Sequence, residues 1–117
     1  MKYTIDKHDR YIVIEPLCDS LDAEKAIKLK GEFLLRNTVG QRNIILDLSN
    51  VRKIDESSIR LALLANRLCD SSGGLFILAN LDSEVLEVLE MSHLQTNFTI
   101  VILLKMLKTV FLHMKLN

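Results

Sequence analysis

Residues 43–79 read NIILDLSNVRKIDESSIRLALLANRLCDSSGGLFILA, and this stretch decides the fold. Its first part, Asn43–Leu48, contains three consecutive aliphatic residues and predicts a strand. A helix is expected from about Ser57 to Ser71, because apolar residues recur at helical spacing and Gly73-Gly74 is a strong stop signal. The run LFILA, from Leu75, predicts the next strand. A strand, a helix and a strand in this order imply parallel pairing through a right-handed crossover.

The residues before and after this stretch continue the alternation of strands and helices. Two short strands, Tyr3–Asp6 and Tyr11–Glu15, are predicted around the charged turn KHDR, and they are placed to form an antiparallel hairpin. Asp22 can cap a helix in the segment that follows the hairpin. Asp82 or Ser83 can cap a short later helix.

The C-terminal part of the chain adds a strand at Thr99–Leu103 and a final helix. The element order is therefore ββαβαβαβα, which predicts an α/β fold. We expect a mostly parallel central sheet with an N-terminal hairpin, covered by about four helices. At this length, residues 1–117 are expected to form a single domain.

The composition is that of a globular protein and limits the classes of partner. Apolar residues make up 49% of the chain, and fifteen basic side chains balance fifteen acidic ones. A net charge of zero and the lack of Trp argue against nucleic-acid binding. Cys18 and Cys69 are expected to be buried, reduced thiols. The N-terminus lacks a signal-peptide core, and no apolar run can span a bilayer, so we expect a cytoplasmic protein without a transmembrane segment.

The sequence offers no assembled catalytic group. His8, His93 and His113 do not fall in a hydrolase motif, and no G-x-S-x-G elbow is present. The four glycines form neither a dinucleotide fingerprint nor a P-loop. Asp55 and Glu56 are adjacent in sequence and therefore do not face each other as an acid/base pair would. We expect no enzyme activity, no metal and no cofactor.

The segment Asp55-Glu56-Ser57-Ser58 opens the central helix and admits two interpretations. The first is a helix cap, since Asp, Ser and Glu satisfy the orphan N–H groups and suit the positive end of the dipole. The second is a modification site, because a hydroxyl at a helix N-terminus is accessible and phosphate is favoured near unpaired N–H groups. The residue types alone leave both interpretations open.

The stretch IILDLSNVRKIDESSIRLALLANRL resembles the signature of STAS domains, the family of bacterial anti-sigma-factor antagonists. That pattern consists of a strand, DLS or similar, a short loop, Asp-Ser-Ser-Gly and an aliphatic-rich helix. The segment LFILANLDSEVLEVLEMSHLQTNF is similar to the family's next strand, its helix and its "MSGL" segment. The resemblance covers most of the chain.

The resemblance implies a phosphorylation switch. In such antagonists a partner that is both serine kinase and anti-sigma factor phosphorylates the second serine, and a PP2C-type phosphatase removes the phosphate. The unphosphorylated protein binds the kinase and releases the sigma factor. By position, Ser57 matches the phosphoacceptor and Asp55 the family aspartate. Glu56 replaces the first serine, Ser58 replaces the glycine, and His93 stands where the family usually has glycine.

The helix that follows predicts a surface for the partner. At 100° per residue, Arg60 and Arg67 fall on a polar side that also includes Ile59 and Leu63. The opposite side is expected to face the sheet and carries Leu61, Leu64, Ala65, Leu68 and Cys69. Ser57 projects toward that apolar side, at the mouth of the helix. The residues expected to contact a partner are Ile59, Arg60, Leu63 and Arg67.

The C-terminal segment FTIVILLKMLKTVFLHMKLN contains no acidic residue. Leu104, Leu107, Phe111 and Met114 make an apolar stripe, and three lysines share another side. Three interpretations remain: a final helix that packs on the sheet, a basic amphipathic surface for a membrane or partner, and homo-oligomer formation through this apolar helix.

The function predicted from the sequence is that of a regulatory binding module that works by partner switching. Ser57 would be the switch, supported by Asp55, Glu56 and Ser58. The partners would be a serine kinase/anti-sigma factor and a PP2C-type phosphatase. An alternative is a STAS accessory subunit of a transporter of the lipid-transport type, which needs no phosphorylation, or another protein-interaction scaffold.

Overall fold

The computed structural model describes residues 1–101, which form a five-stranded central sheet with helices packed on it and a separate two-stranded pair. The strands are β1 (Tyr3–Lys7), β2 (Ile12–Pro16), β3 (Ser20–Leu21), β4 (Ile44–Asp47), β5 (Lys53–Ile54), β6 (Phe76–Ala79) and β7 (Thr99–Val101). The helices are α1 (Ala23–Thr38), α2 (Glu56–Ser71) and α3 (Ser83–Met91), with a 3₁₀ turn at Gln95–Asn97.

The main sheet has five strands in the order β1-β2-β4-β6-β7. β1 and β2 form the predicted antiparallel hairpin, and every later neighbour is parallel. Each parallel pair is joined by one helix, so α1, α2 and α3 are the crossovers of a right-handed α/β fold. The predicted fold class is confirmed.

The two faces of the sheet explain why the strand sequences are almost continuously aliphatic. Alternate residues such as Ile14 and Leu46 join the core beneath the three helices. The residues between them form a second buried cluster on the other face, made of Val13, Ile45, Ile77, Ala79 and Val101. Because both faces exclude water, both sets of strand positions are almost entirely apolar.

Aspartate caps begin all three helices. Asp22 accepts a hydrogen bond from the backbone N–H of Lys25 at 3.0 Å, and Asp82, rather than Ser83, caps α3. The end of α2 also follows the prediction, because Gly73 adopts a φ of +80° just after the cap residue. At Gly74 the chain passes so close to Arg42 that a Cβ atom would collide with the carbonyl oxygen of Arg42.

Two features of the fold differ from the prediction. The two-residue strands β3 and β5 pair in parallel outside the main sheet, with Leu21 opposite Ile54. The last strand is observed at Thr99–Val101, and the rest of its predicted span, together with the predicted fourth helix, lies outside the described residues. The three interpretations of the C-terminal segment therefore remain predictions.

Candidate functional site

The site lies where β5 leads into α2. Backbone hydrogen bonds hold this junction on the segment before α1: the N–H groups of Arg52 and Lys53 both donate to the carbonyl of Asp19, at 2.7 and 3.1 Å. The N–H of Asp55 donates to the carbonyl of Leu21 at 3.2 Å. The short β3–β5 pair therefore fixes the direction in which α2 starts.

Asp55 and Ser58 form the helix cap. The Oδ1 atom of Asp55 accepts two hydrogen bonds from Ser58, one from the backbone N–H at 2.9 Å and one from the hydroxyl at 3.0 Å. The side chain of Ser58 is buried, with 6% of its surface exposed. The capping interpretation is thus correct for these two residues, and Asp55 orients Ser58 rather than Ser57.

Ser57 differs from its neighbour in every one of these respects. It is half-buried in the first turn of α2, and its hydroxyl makes no hydrogen bond to any residue in the range 1–101. A rotation of 100° per residue moves its side chain away from the cap that holds Ser58. Of the two serines, Ser57 is the one whose hydroxyl is neither hydrogen-bonded within residues 1–101 nor fully buried.

Ser58 fits where the resembling family has glycine. It lies inside α2 with a helical backbone, so the position does not need the positive φ that glycine permits. Its side chain borders a small apolar cavity of about 20 Å³, with Ile59, Ala62 and Val85 among the other walls. His93, by contrast, does adopt the left-handed conformation of a glycine position, with a φ of +57°.

The outer face of α2 carries charge next to Ser57. Arg60 donates to Glu56 at 2.7 Å, and both side chains are largely exposed, at 72% and 78%. Arg67 is exposed as well, and Leu63 is half-buried. Three of the four residues predicted to contact a partner therefore reach the surface on the outer face of α2, and Ser57 lies in the first turn at the edge of that face, toward Leu61 and Leu64.

The prediction for Ile59 is wrong as to its exposure. Ile59 is buried, with 7% of its surface exposed, and it lines the cavity against Val85 and Leu89 of α3. The buried side of α2 is centred on Ser58, Ala62 and Ala65, whose small side chains allow close packing. The helix is therefore rotated relative to the predicted face, and Leu64 and Leu68 are only half-buried.

Polar contacts that sequence reasoning missed hold the loop between β4 and β5. Asp47 is 5% exposed and accepts from the N–H of Ser49 and the side chain of Asn80, both at 3.0 Å. Arg52 donates to Asp82 at 3.4 Å and so joins this loop to the cap of α3. The DLS motif is the part of the sequence that could have indicated Asp47. Its partner Asn80 is 33 residues away, however, and the two side chains meet only because β4 and β6 pair in the sheet.

Within the part of the chain that the structure describes, the remaining chemistry-bearing side chains do not assemble a second site. His8 contacts Asp6 at 3.0 Å in an exposed turn, where its ring stacks on Tyr11. Cys69 is buried as predicted, and burial raises the pKa of its thiol to about 11; Cys18 is only half-buried, and partial burial also raises its pKa. No cluster of three or more metal-binding side chains occurs among residues 1–101. None of the helices that the structure describes combines the length and apolar character that a membrane crossing requires.

The chain belongs to the STAS domain family, whose model matches residues 3–111. Among curated relatives, the candidate anti-sigma factor antagonist BtrV of Bordetella bronchiseptica is 30% identical over 94 residues, which cover 79% of this chain and 78% of BtrV.

Solved structures of anti-sigma factor antagonists have the same fold. RsbS of Moorella thermoacetica, solved with one serine replaced by glutamate, is 26% identical with a TM-score of 0.72, and the match covers 90% of each chain. The antagonist SpoIIAA in its unphosphorylated form is 17% identical with a TM-score of 0.74, covering 96% of this chain and 98% of SpoIIAA. SpoIIAA from Bacillus in its phosphorylated form is 20% identical with a TM-score of 0.72, and the match covers 93% of this chain and 99% of SpoIIAA.

Proposed function

We propose that this domain is an anti-sigma factor antagonist whose binding to a serine kinase/anti-sigma factor is switched by phosphorylation of Ser57. The unphosphorylated domain binds the kinase and so frees the sigma factor. Phosphorylation of Ser57 ends that binding, and a PP2C-type phosphatase restores it. In this function the domain is a regulator and not an enzyme, and it acts in the cytoplasm with its partners.

The observation that carries the proposal is the contrast between the two serines of the first turn of α2. The hydroxyl of Ser58 donates to Asp55 and is buried, whereas that of Ser57 makes no hydrogen bond within residues 1–101 and is half-buried. A kinase must take the acceptor oxygen into its own active site, which only the second arrangement allows. The phosphorylated form of Bacillus SpoIIAA supports the proposal, since a domain of this fold carries the modification.

The electrostatics of α2 determine what the phosphate would change. A phosphoserine carries about −1.5 to −2 charges at neutral pH, and near the N-terminus of α2 it meets the positive end of the helix dipole. The fold therefore tolerates the phosphate. The exposed side chain of Glu56 already contributes a negative charge there, and Arg60 is the nearest cation of the same helix that can respond. The modification consequently alters the surface and leaves the core intact.

The partner surface is the exposed part of α2 next to Ser57. Arg60, Leu63 and Arg67 offer two cations and one aliphatic side chain on this face. Ile59 supports the face from beneath, because it packs between α2 and α3. A dianion on Ser57 would stand at the edge of this surface and repel acidic groups that dock on the arginines.

Binding of substituted domains to the host's serine kinase/anti-sigma factor tests the proposal. Ser57→Asp is expected to weaken binding by about a hundredfold or more, because misplaced like charges at an interface cost several kcal/mol. Ser57→Ala cannot be phosphorylated and is therefore expected to bind the kinase constitutively. Ser71→Asp, which adds the same charge at the exposed far end of α2, is the matched control and should bind normally. Equal binding by Ser57→Asp and Ser57→Ala would refute the switch.

An accessory subunit of a transporter is the second candidate function. It is favoured by Glu56, whose permanent carboxylate lies beside Ser57 where the family has a serine. This function predicts stable co-purification with a transporter component of the lipid-transport type. Substitutions of Ser57 would leave that complex unchanged, which distinguishes it from partner switching.

A further inference from the structure

The outer side of α1 is unusually apolar for a solvent-facing helix. Four large apolar side chains are exposed along it: Ile27 at 71%, Leu34 at 41%, Leu35 at 53% and Val39 at 61%. With the exposed Gly31 they form one continuous strip, which we call the α1 stripe. Lys28 and Lys30 flank the strip, and one acid, Glu24, lies at its N-terminal end. An apolar strip with a charged border is typical of a protein-binding surface.

The outer side of α3 has the opposite charge. Glu84, Glu87 and Glu90 are exposed on it, and so is the large apolar side chain of Met91, at 73%. We call these four residues the α3 face. None of its three carboxylates, and neither of the two lysines of the α1 stripe, makes an ion pair with another residue of the described range. Both surfaces are therefore uncompensated by the other residues in the range 1–101.

The two surfaces match in size as well as in charge. At a rise of 1.5 Å per residue, the stripe is about 18 Å long and α3 about 14 Å, so one α3 helix fits along it. Gly31 leaves an open notch in the stripe, since a Cβ built there would have no heavy atom within 4 Å. Glycine in a helix interior is less stable than alanine, and nothing within the described chain requires it at this position. A long flexible side chain such as Met91 suits the notch.

We propose that the α3 face of one copy of this chain docks on the α1 stripe of a second copy. The crossovers place α1, α2 and α3 side by side on one face of the sheet, with α2 in the middle, so the two surfaces lie on opposite flanks of the domain. Such a contact is heterologous: each copy offers one stripe and one face. Because the two surfaces do not coincide, association continues beyond a dimer unless it closes into a ring.

Sedimentation velocity of the full chain tests the contact. The average mass is expected to rise with protein concentration up to about 1 mM, a range that covers weak complexes. It should fall when salt is raised from about 0.05 M to about 0.5 M, which shortens the Debye length about threefold. A monomer at every concentration and salt level would overturn the proposal.

Charge reversal identifies the surfaces. Lys28→Glu with Lys30→Glu, or Glu87→Lys with Glu90→Lys, is expected to weaken association at least about tenfold. Mixing the two double variants, or combining all four changes in one chain, should restore it. The matched control for the lysine pair is Lys7→Glu with Arg10→Glu, which changes the same charge in the exposed β1–β2 region. Association that persists in both double variants would assign it to another surface and refute the contact.

A neutral variant tests the notch separately. Gly31→Gln fills it without changing charge and is expected to weaken association severalfold, while the far-UV circular dichroism and the melting temperature show that the fold persists. Unchanged association by Gly31→Gln would contradict the placement of Met91. None of these substitutions touches Ser57 or the outer face of α2, so kinase binding provides an independent readout.

Discussion

The two serines in the first turn of α2 have different surroundings: one is part of the helix cap, and the other has a hydroxyl that is available for modification. On one side, Asp55 accepts two hydrogen bonds from Ser58, and the side chain of Ser58 borders the core. On the other side, Ser57 is half-buried and leaves its hydroxyl without a partner among the described residues. One residue along a helix turns the side chain through 100°, and here that rotation separates a cap from a candidate phosphoacceptor. Neighbouring residues of the same type can therefore have very different surroundings.

The largest effect on stability is expected from removal of the cap. Asp55→Ala loses both hydrogen bonds and leaves the buried hydroxyl of Ser58 unsatisfied, so the free energy of unfolding should fall by about 2 kcal/mol. Asp22→Ala is the matched control, because Asp22 caps α1 through one hydrogen bond in an exposed position, and its loss should cost about 1 kcal/mol. Equal costs in urea denaturation would show that Ser58 adds nothing to the cap.

A smaller effect is expected at Ser58 itself. Ser58→Ala removes one of the two bonds to Asp55 and keeps the backbone cap, so unfolding should become easier by about 1 kcal/mol. The corresponding change at the neighbour, Ser57→Ala, should change stability by less than about 0.5 kcal/mol, since that hydroxyl is not bonded within the described range. Chemical denaturation of the two single variants measures the difference, and a larger cost for Ser57→Ala would reverse the assignment of roles.

The ion pair between Glu32 and Arg36 has the same i,i+4 spacing as the Glu56–Arg60 pair of α2, but it is much less exposed. Its carboxyl group makes the stability of the fold depend on pH. Burial would raise the pKa of Glu32, but the hydrogen bonds from Tyr3 and Arg36 outweigh it and hold the pKa below its ordinary value. A carboxyl with a lowered folded pKa contributes stability above the unfolded pKa of about 4.3 and loses it as the pH falls through the folded value. Stability measured from pH 6 downward, in roughly unit steps, should therefore decline less steeply in Glu32→Gln than in the parent chain. Identical profiles would contradict this role of Glu32.

The smallest effect is expected from the exposed pair on α2. Arg60→Ala breaks the contact with Glu56, yet an exposed i,i+4 pair contributes only about 0.3–0.5 kcal/mol. Arg36→Ala should cost more, because both members of the Arg36–Glu32 pair are less than one fifth exposed. If Arg60→Ala leaves stability almost unchanged but weakens kinase binding, Arg60 belongs to the partner surface. A stability loss as large as that of Arg36→Ala would assign it a structural role instead.

Local signals in the sequence predicted most of the fold. Aliphatic runs, the aspartate caps and the Gly73-Gly74 stop each act within a few residues, so the parallel sheet and its hairpin followed from them. The β3–β5 pair could not be predicted in this way, because a two-residue strand is too short to show a recognisable periodicity. Its consequence, the anchoring of Asp55 on Leu21, joins residues far apart in the chain and was equally hidden.

The candidate site was predictable in its position but not in its detail. The resemblance of the DESS segment indicated Ser57, whereas the division of labour between Ser57 and Ser58 depends on how far α2 is rotated. That rotation is set by the elements that pack on α2, chiefly α1 and β6, and it turns Ile59 toward Val85 and Leu89 of α3. Periodicity gives the width of a helix face, and the neighbouring elements decide where its centre lies.

Phosphosite mapping by mass spectrometry tests the central claim most directly. The unmodified domain would be incubated with the host's serine kinase/anti-sigma factor and ATP, and the peptide that spans the start of α2 would then be fragmented. The account predicts one phosphate, on Ser57, and no modification of Ser57→Ala under the same conditions. Phosphate on Ser58, or an unmodified Ser57 in the presence of a kinase that binds the domain, would contradict it.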